Sequence, residues 1–153
     1  MKFKFRLEKV MNHKKVERDL AFRDFADARK TYEEGKERLK NLYQEIADAR
    51  NFEAATVKEG GKGSESLKWS AFFIDGQNIK IELQKKLNRQ LIQVMEQKQE
   101  VLIERARELK TFETLKEKMK ERFKKEERKR DIKSIDEIVV MSAAARRDGT
   151  GSR

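Results

Sequence analysis

The segment LEKVMNHKKVERDLAFRDFADARKTYEEGKERLKNLYQEIADA, Leu7–Ala49, decides the fold. Alternate steps of four and three residues from Leu7 reach Met11, Lys14, Arg18, Ala21, Phe25, Ala28, Tyr32, Gly35, Leu39, Leu42, Ile46 and Ala49, and ten of these thirteen positions are apolar. A repeat that holds this phase for six heptads, with charges between, marks a helix that buries one narrow seam against a partner helix. Bulky seam residues (Phe25, Tyr32, Leu39, Ile46) alternate with small ones (Ala21, Ala28, Gly35, Ala49), which lets the partner approach closely. Glycine costs ~1 kcal/mol against alanine inside a helix, and close approach at Gly35 is the expected compensation.

The pattern stops between Asn51 and Ser66, where Gly60, Gly61, Gly63, Ser64 and Ser66 read as a turn. A second helical pattern follows through Trp69, Phe72, Phe73, Ile79, Leu83, Leu87, Leu91, Val94 or Met95, Val101 or Leu102, Leu109, Phe112, Leu115, Met119 and Phe123. This stripe drifts between two heptad registers and predicts a stutter, and Asp75-Gly76 is a candidate break. Ser134-Ile135-Asp136-Glu137 has the form of a capping box, which predicts a short third helix over 135–147, and the tail RRDGTGSR reads as disordered. The expectation is an all-α protein. A long antiparallel two-helix coiled coil occupies 1–131, with a helix over about 3–52, a turn over 53–65 and a helix over 66–131. A short C-terminal helix and flexible tail occupy 132–153. With the turn centred on Glu59, Leu7 lies near Thr111, and the second helix beyond that point has no partner in the chain.

Composition agrees. The chain has 153 residues, 43% of them charged and 37% hydrophobic, too polar for a thick core, and it has no proline to interrupt long helices. It has no cysteine, so disulfides are excluded. The first residues lack the continuous apolar stretch of a signal peptide, and no run approaches the ~20 residues of a membrane-spanning helix. A cytoplasmic protein is expected. The net charge of +10 is concentrated towards the ends: residues 1–50 and 101–131 each carry +4, whereas 51–66 carry −1. Nucleic acid, an anionic membrane surface and an acidic protein surface are the partner classes that such a charge invites.

Motifs for catalysis are weak. Gly60-Gly61-Lys62-Gly63-Ser64 lacks the upstream glycine of a phosphate-binding loop and follows a helix rather than a strand. His13 is the single histidine and reads as a solvated helix residue. The carboxylates are the usual helix-surface partners of Lys and Arg. No cofactor and no metal are expected, and no enzymatic activity. The segment KEKMKERFKKEERKR, 116–130, carries nine Lys or Arg against four Glu, with Met119 and Phe123 on one seam. The interleaved acids and the lack of a stacking aromatic face count against nucleic acid. Tyr43 and Phe52 before the turn, with Trp69, Phe72 and Phe73 after it, form an aromatic group. Because Phe72 and Phe73 are adjacent, at least one must face outward and is a candidate interface anchor.

Four segments taken in order, FKFRLEKVMNHKKVERDLA at the start, the Trp69 and Phe72-Phe73-Ile74 cluster, ELKTFETLKEKMKERFKKEE and SIDEIVV, resemble the flagellar type III export protein FliJ family over nearly the whole chain. The resemblance implies an antiparallel coiled coil acting as a noncatalytic stalk and export escort. Its partners would be a hexameric export ATPase, the cytoplasmic part of an export-gate membrane protein and export chaperones, with the protein held peripherally at the inner-membrane export apparatus. Carried over by position, Lys116, Met119, Arg122 and Phe123 would meet the ATPase ring, and Tyr43, Phe72, Phe73 and Ile79 would face the gate. Asp75-Gly76 departs from the family's uninterrupted helix. The residues alone leave two other readings open, a basic coiled coil that binds nucleic acid or ribosomes and a purely structural coil that pairs with a second copy.

Overall fold

The computed structural model describes residues 2–60 and 63–148 and contains two helices, α1 (Glu8–Lys58) and α2 (Ser64–Asp148). They pack against each other as an antiparallel hairpin. Helix α1 ends where Gly60 adopts φ 84, a left-handed conformation that glycine takes without a Cβ penalty, and Gly60 N donates back to Val57 O at 3.4 Å. Helix α2 opens with Leu67 N donating to Gly63 O at 2.9 Å, and Glu65 sits in its first turn, where the helix dipole favours a carboxylate. Of the predicted turn glycines, Gly61 lies outside the described residues, as do Lys62 and the end of the tail, 149–153.

The packing divides into two units, one formed by 16–106 and the other by 1–15 with 107–153. In the first unit the α1 seam is the predicted one: Ala21, Gly35 and Ile46 are buried, and Phe25, Ala28, Tyr32, Leu39 and Leu42 are half-buried. The α2 seam differs from expectation. It runs Ser70, Ile74, Gln77, Ile81, Gln84, Asn88, Leu91 and Met95 in unbroken steps of four and three, without the predicted stutter, and passes the Asp75-Gly76 pair as continuous helix. Several of these residues are polar, while the more apolar line through Trp69, Phe72, Ile79 and Leu83 lies exposed. A reading by hydrophobicity therefore mixes two lines, and their mixture was the apparent drift.

Gly35 is the point of closest approach in this unit. A Cβ there would collide with the Asn88 amide oxygen and stand 3.3 Å from Leu91 Cδ1. Asn88 Nδ2 donates to Gly35 O, and Gln84 Nε2 donates to Asn88 Oδ1 at 2.8 Å. Gln77 Nε2 donates to Glu45. Partner numbers across this unit add to 122 or 123, as for Glu45 with Gln77, Gly35 with Asn88 and Asp24 with Lys98. The register is thus displaced from the expected 118, because α1 runs on to Lys58 and moves the turn towards higher numbers.

In the second unit Phe5, Met11 and Leu109 form a small core, with Phe3, Phe112 and Met119 packed on it. Residues 2–5 are not helical, against the predicted helix from residue 3. They lie as an arm, and the Phe3 and Phe123 rings stand 5.7 Å apart at 55°. An extended residue advances ~3.3 Å and a helical one 1.5 Å, so an arm of this length reaches along about two turns of α2. That overturns the expectation that α2 lacks a partner past Thr111, since cover continues to Phe123. From Lys124 to Arg147 every residue is exposed.

The short third helix is also corrected. Helix α2 continues to Asp148, and Ser134 Oγ donates to Asp131 O at 2.8 Å, a bond made inside a helix rather than at its start. Residues 131–134 contain neither glycine nor proline, so nothing there breaks the backbone ladder.

Candidate interaction surfaces on helix α2

Near the turn, α2 carries a second apolar line built by the same spacing as its seam but displaced around the helix. Trp69, Phe72, Ile79 and Leu83 are 77%, 74%, 65% and 60% exposed. Gly76 falls between Phe72 and Ile79, and a Cβ built on it meets nothing within 4 Å, leaving a shallow gap in the line. Leu83 and Leu87 border a groove completed by Leu42, Arg38 and Asn41 of α1. The gate-facing candidates Phe72 and Ile79 stand on this line, and Phe73, 46% exposed, lies at its margin. Both adjacent phenylalanines face solvent, one more than their adjacency required.

Tyr43 is 48% exposed but belongs elsewhere. It borders a groove with Lys36, Leu39 and Lys40, and it stands beside Lys85. Lys85 is held above its ordinary pKa first by its hydrogen bond to Glu82 and then by Tyr43. Lys85 lies two residues beyond Leu83, which on a helix is more than a third of a turn away. The structure therefore groups Phe72, Phe73 and Ile79 and separates Tyr43 from them. Sequence reading missed Trp69 and Leu83 as members of the exposed line, having placed both in the seam. The signal was available: Ser70, Gln77 and Asn88 form an alternative line in perfect heptad phase with α1, but its polarity hid it.

In the unit holding the chain ends, three of the four ring-facing candidates are engaged within the chain. Lys116 Nζ pairs with Glu8 at 2.8 Å and lies 6.0 Å from the Phe5 ring centroid. Met119 packs on the Phe5, Met11 and Leu109 core, and Phe123 packs on Phe3. Arg122 alone of the four is exposed. Lys14 pairs with Glu108 at 3.0 Å on the same seam.

Neither surface is a chemical centre in form. Both are open, and Lys36, Glu82 and Lys85, whose pKa values are displaced, owe the displacement chiefly to hydrogen bonds with charged neighbours three residues away on the same helix. Among the described residues no group of three or more His, Asp or Glu is placed to hold a metal ion, and no helix is long and apolar enough to cross a membrane. What the geometry offers is surface for other macromolecules.

The two long helices and their seam define an antiparallel coiled-coil protein. The model of the family described as flagellar FliJ protein matches residues 3–148, and the chain belongs to that family, which makes it a flagellar protein. The flagellar FliJ protein of Bacillus subtilis (strain 168) is 28% identical over 141 residues, covering 92% of this chain and 95% of the relative. No solved structure matches.

Proposed function

We propose that this protein is a noncatalytic stalk and escort of flagellar protein export, linking a hexameric export ATPase to the cytoplasmic part of a membrane export gate. The observation that carries the reading is the exchange of lines on α2. The helix spends polar residues such as Gln77 and Asn88 on its own partner and turns Phe72, Ile79 and Leu83 to solvent. Leaving several large apolar side chains in water is unfavourable by roughly 1.5–3 kcal/mol each relative to burial, so a line of them implies an occupant. Family membership supports a partner within the export machinery.

In this reading Phe72, Phe73 and Ile79, with Tyr43 on a separate flank, meet the gate, and Lys116, Met119, Arg122 and Phe123 meet the ATPase ring. Export chaperones are further partners, and the protein sits at the inner-membrane export apparatus without spanning the membrane. The chain supplies contacts and organises another protein's turnover, with no ATP hydrolysis of its own.

The test is to mix the full chain with the purified export ATPase and, separately, with the soluble part of the gate protein. Expected results are binding to both, stimulated ATP hydrolysis with the ATPase, and none by the chain alone. ATP turnover by the isolated chain, or failure to bind either partner, would overturn the stalk reading.

A further inference from the structure

Along the outer side of α2 in the terminal unit, cations outnumber carboxylates. The seam of α2 there runs through Leu109, Phe112, Lys116, Met119 and Phe123, facing α1 and its arm. Two residues on is the opposite side of a helix, about 200° away. Steps of three and four along that outer side reach Arg107, Thr111, Thr114, Lys118, Glu121, Lys125 and Arg128, with Lys110, Glu117 and Arg122 flanking. The six cations are all exposed, and Glu121 is the one carboxylate in the line. Glu108 is turned away from this side to pair with Lys14. A shallow groove lined by Arg107, Lys110, Thr114, Leu115 and Lys118 runs along its first turns.

The same sequence of steps continues without interruption into Ile132, Ile135 and Val139, then Ser142 and Arg146. Ile132, Ile135 and Val139 are 58%, 59% and 57% exposed, and Ile138, Val140 and Met141 beside them are 66%, 66% and 72% exposed. Helix α2 thus carries a cationic track on its outer side that leads into an exposed apolar patch, with Arg146 closing the far end. A nucleic acid would use the track and leave the isoleucines unexplained. A wholly apolar partner would use the patch and leave the track unexplained. An anionic lipid surface uses both, since headgroups neutralise the cations while branched aliphatic side chains enter the headgroup boundary.

We propose that the outer side of α2 from Arg107 to Arg146 is a docking surface for an anionic bilayer. Charge complementarity with the headgroups sets the occupant, and Ile132, Ile135 and Val139 set the depth. The surface lies on the far side of α2 from Met119 and Phe123 and does not depend on the stalk reading. The protein would lie along the membrane by this side before or between its engagements with protein partners.

The test is co-flotation of the full chain with vesicles of phosphatidylcholine alone and of phosphatidylcholine containing phosphatidylglycerol. Flotation is expected only with the anionic vesicles, falling steeply as salt is raised. Each Lys or Arg near such a surface is worth about fivefold in partitioning, so K118E with K125E should lower it at least tenfold. Both residues point away from α1, and an unchanged circular dichroism spectrum confirms that the hairpin survives. I135S with V139S should lower partitioning severalfold, and an equal affinity to wild type would overturn the insertion of the patch. Since the chain has no cysteine, V139C and A144C can each carry an environment-sensitive dye. Val139 lies on the outer line and Ala144 about 140° round the helix. A blue shift at 139 but not 144 supports the geometry. Equal shifts, absence of binding to anionic vesicles, or equal binding to neutral ones would overturn the proposal.

Discussion

Asn88 Nδ2 donates to the backbone oxygen of Gly35 at 3.2 Å, joining a buried amide on α2 to the one seam position of α1 that has no side chain. The pair couples two features that are each unfavourable alone: a glycine inside a helix and a polar group in a coiled-coil seam. Together they set close approach and register.

Gly35→Ala should therefore destabilise the protein despite alanine's better helix propensity. The new methyl group occupies the position of the Asn88 amide. Displacing it loses hydrogen bonds and leaves a buried polar group, costing about 1–3 kcal/mol, against a gain of about 1 kcal/mol from propensity. Urea denaturation should show a net loss of about 1 kcal/mol, and a gain would mean that the helices are not in close contact here.

Asn88→Leu should separate stability from register. A leucine in the seam should hold or raise the urea midpoint, while removing the bond that distinguishes one register from a slipped one. Cysteine pairs placed at Glu45 and Gln77, and at Glu45 and Gln84, would measure slippage by crosslinking. Wild type should crosslink through the first pair only, and the variant through both. A single crosslink in both proteins would assign register control to other contacts.

The surface pair of Glu82 and Lys85 should contribute little, and with a defined sign. Their hydrogen bond lowers the Glu82 pKa from its ordinary 4.5 and raises that of Lys85 from its ordinary 10.5. A depressed carboxyl stabilises above its unfolded pKa and loses that contribution as pH falls through the folded value. A raised ammonium stabilises below its unfolded pKa and loses it as pH rises through the folded value. Any difference between wild type and Glu82→Gln thus belongs to the interval between the ordinary values of 4.5 and 10.5 and is lost as pH falls below the first or rises above the second. Both groups are solvated, so the urea midpoints should nearly coincide even near neutrality. A large neutral-pH difference would show that the pair is part of a wider network.

The seam of α1 was legible in sequence because its apolar residues were also its buried ones, from Met11 through Ala21 and Ile46. That of α2 was not, for a physical reason: Gln77, Gln84 and Asn88 occupy the seam while Phe72, Ile79 and Leu83 stand outside. Hydrophobicity indicates what avoids water, and here part of it lies on the exposed line rather than in the seam. The arm was illegible because Phe3 and Phe5 continue the apolar character of α1 without its helical backbone. The third helix was wrongly separated because a Ser-x-x-Glu spacing occurs inside a helix as readily as at its start. Of the candidate residues, adjacency alone required one of Phe72 and Phe73 to face outward, and the structure exposes both. The engagement of Lys116, Met119 and Phe123 with the arm required coordinates.

That engagement changes how the proposed ring contact must be tested. Phe5 is 7% exposed and packs with Met11 and Leu109, so Phe5→Ala should cost about 2–3 kcal/mol, near the lower end for a buried aromatic. Met119 and Phe123 substitutions will carry part of the same structural cost, and a loss of ATPase binding in those variants would not separate contact from folding. Arg122 is exposed, and Arg122→Glu should leave the unfolding free energy from urea denaturation within about 0.5 kcal/mol of wild type. If the terminal unit meets the ATPase ring as proposed, Arg122→Glu should weaken that binding severalfold while Phe72→Ser with Ile79→Ser leaves it intact and weakens gate binding instead. Calorimetric titration of both variants against both partners measures the two effects. The reverse pattern would exchange the roles of the two surfaces, and a loss of neither would remove these residues from the interfaces.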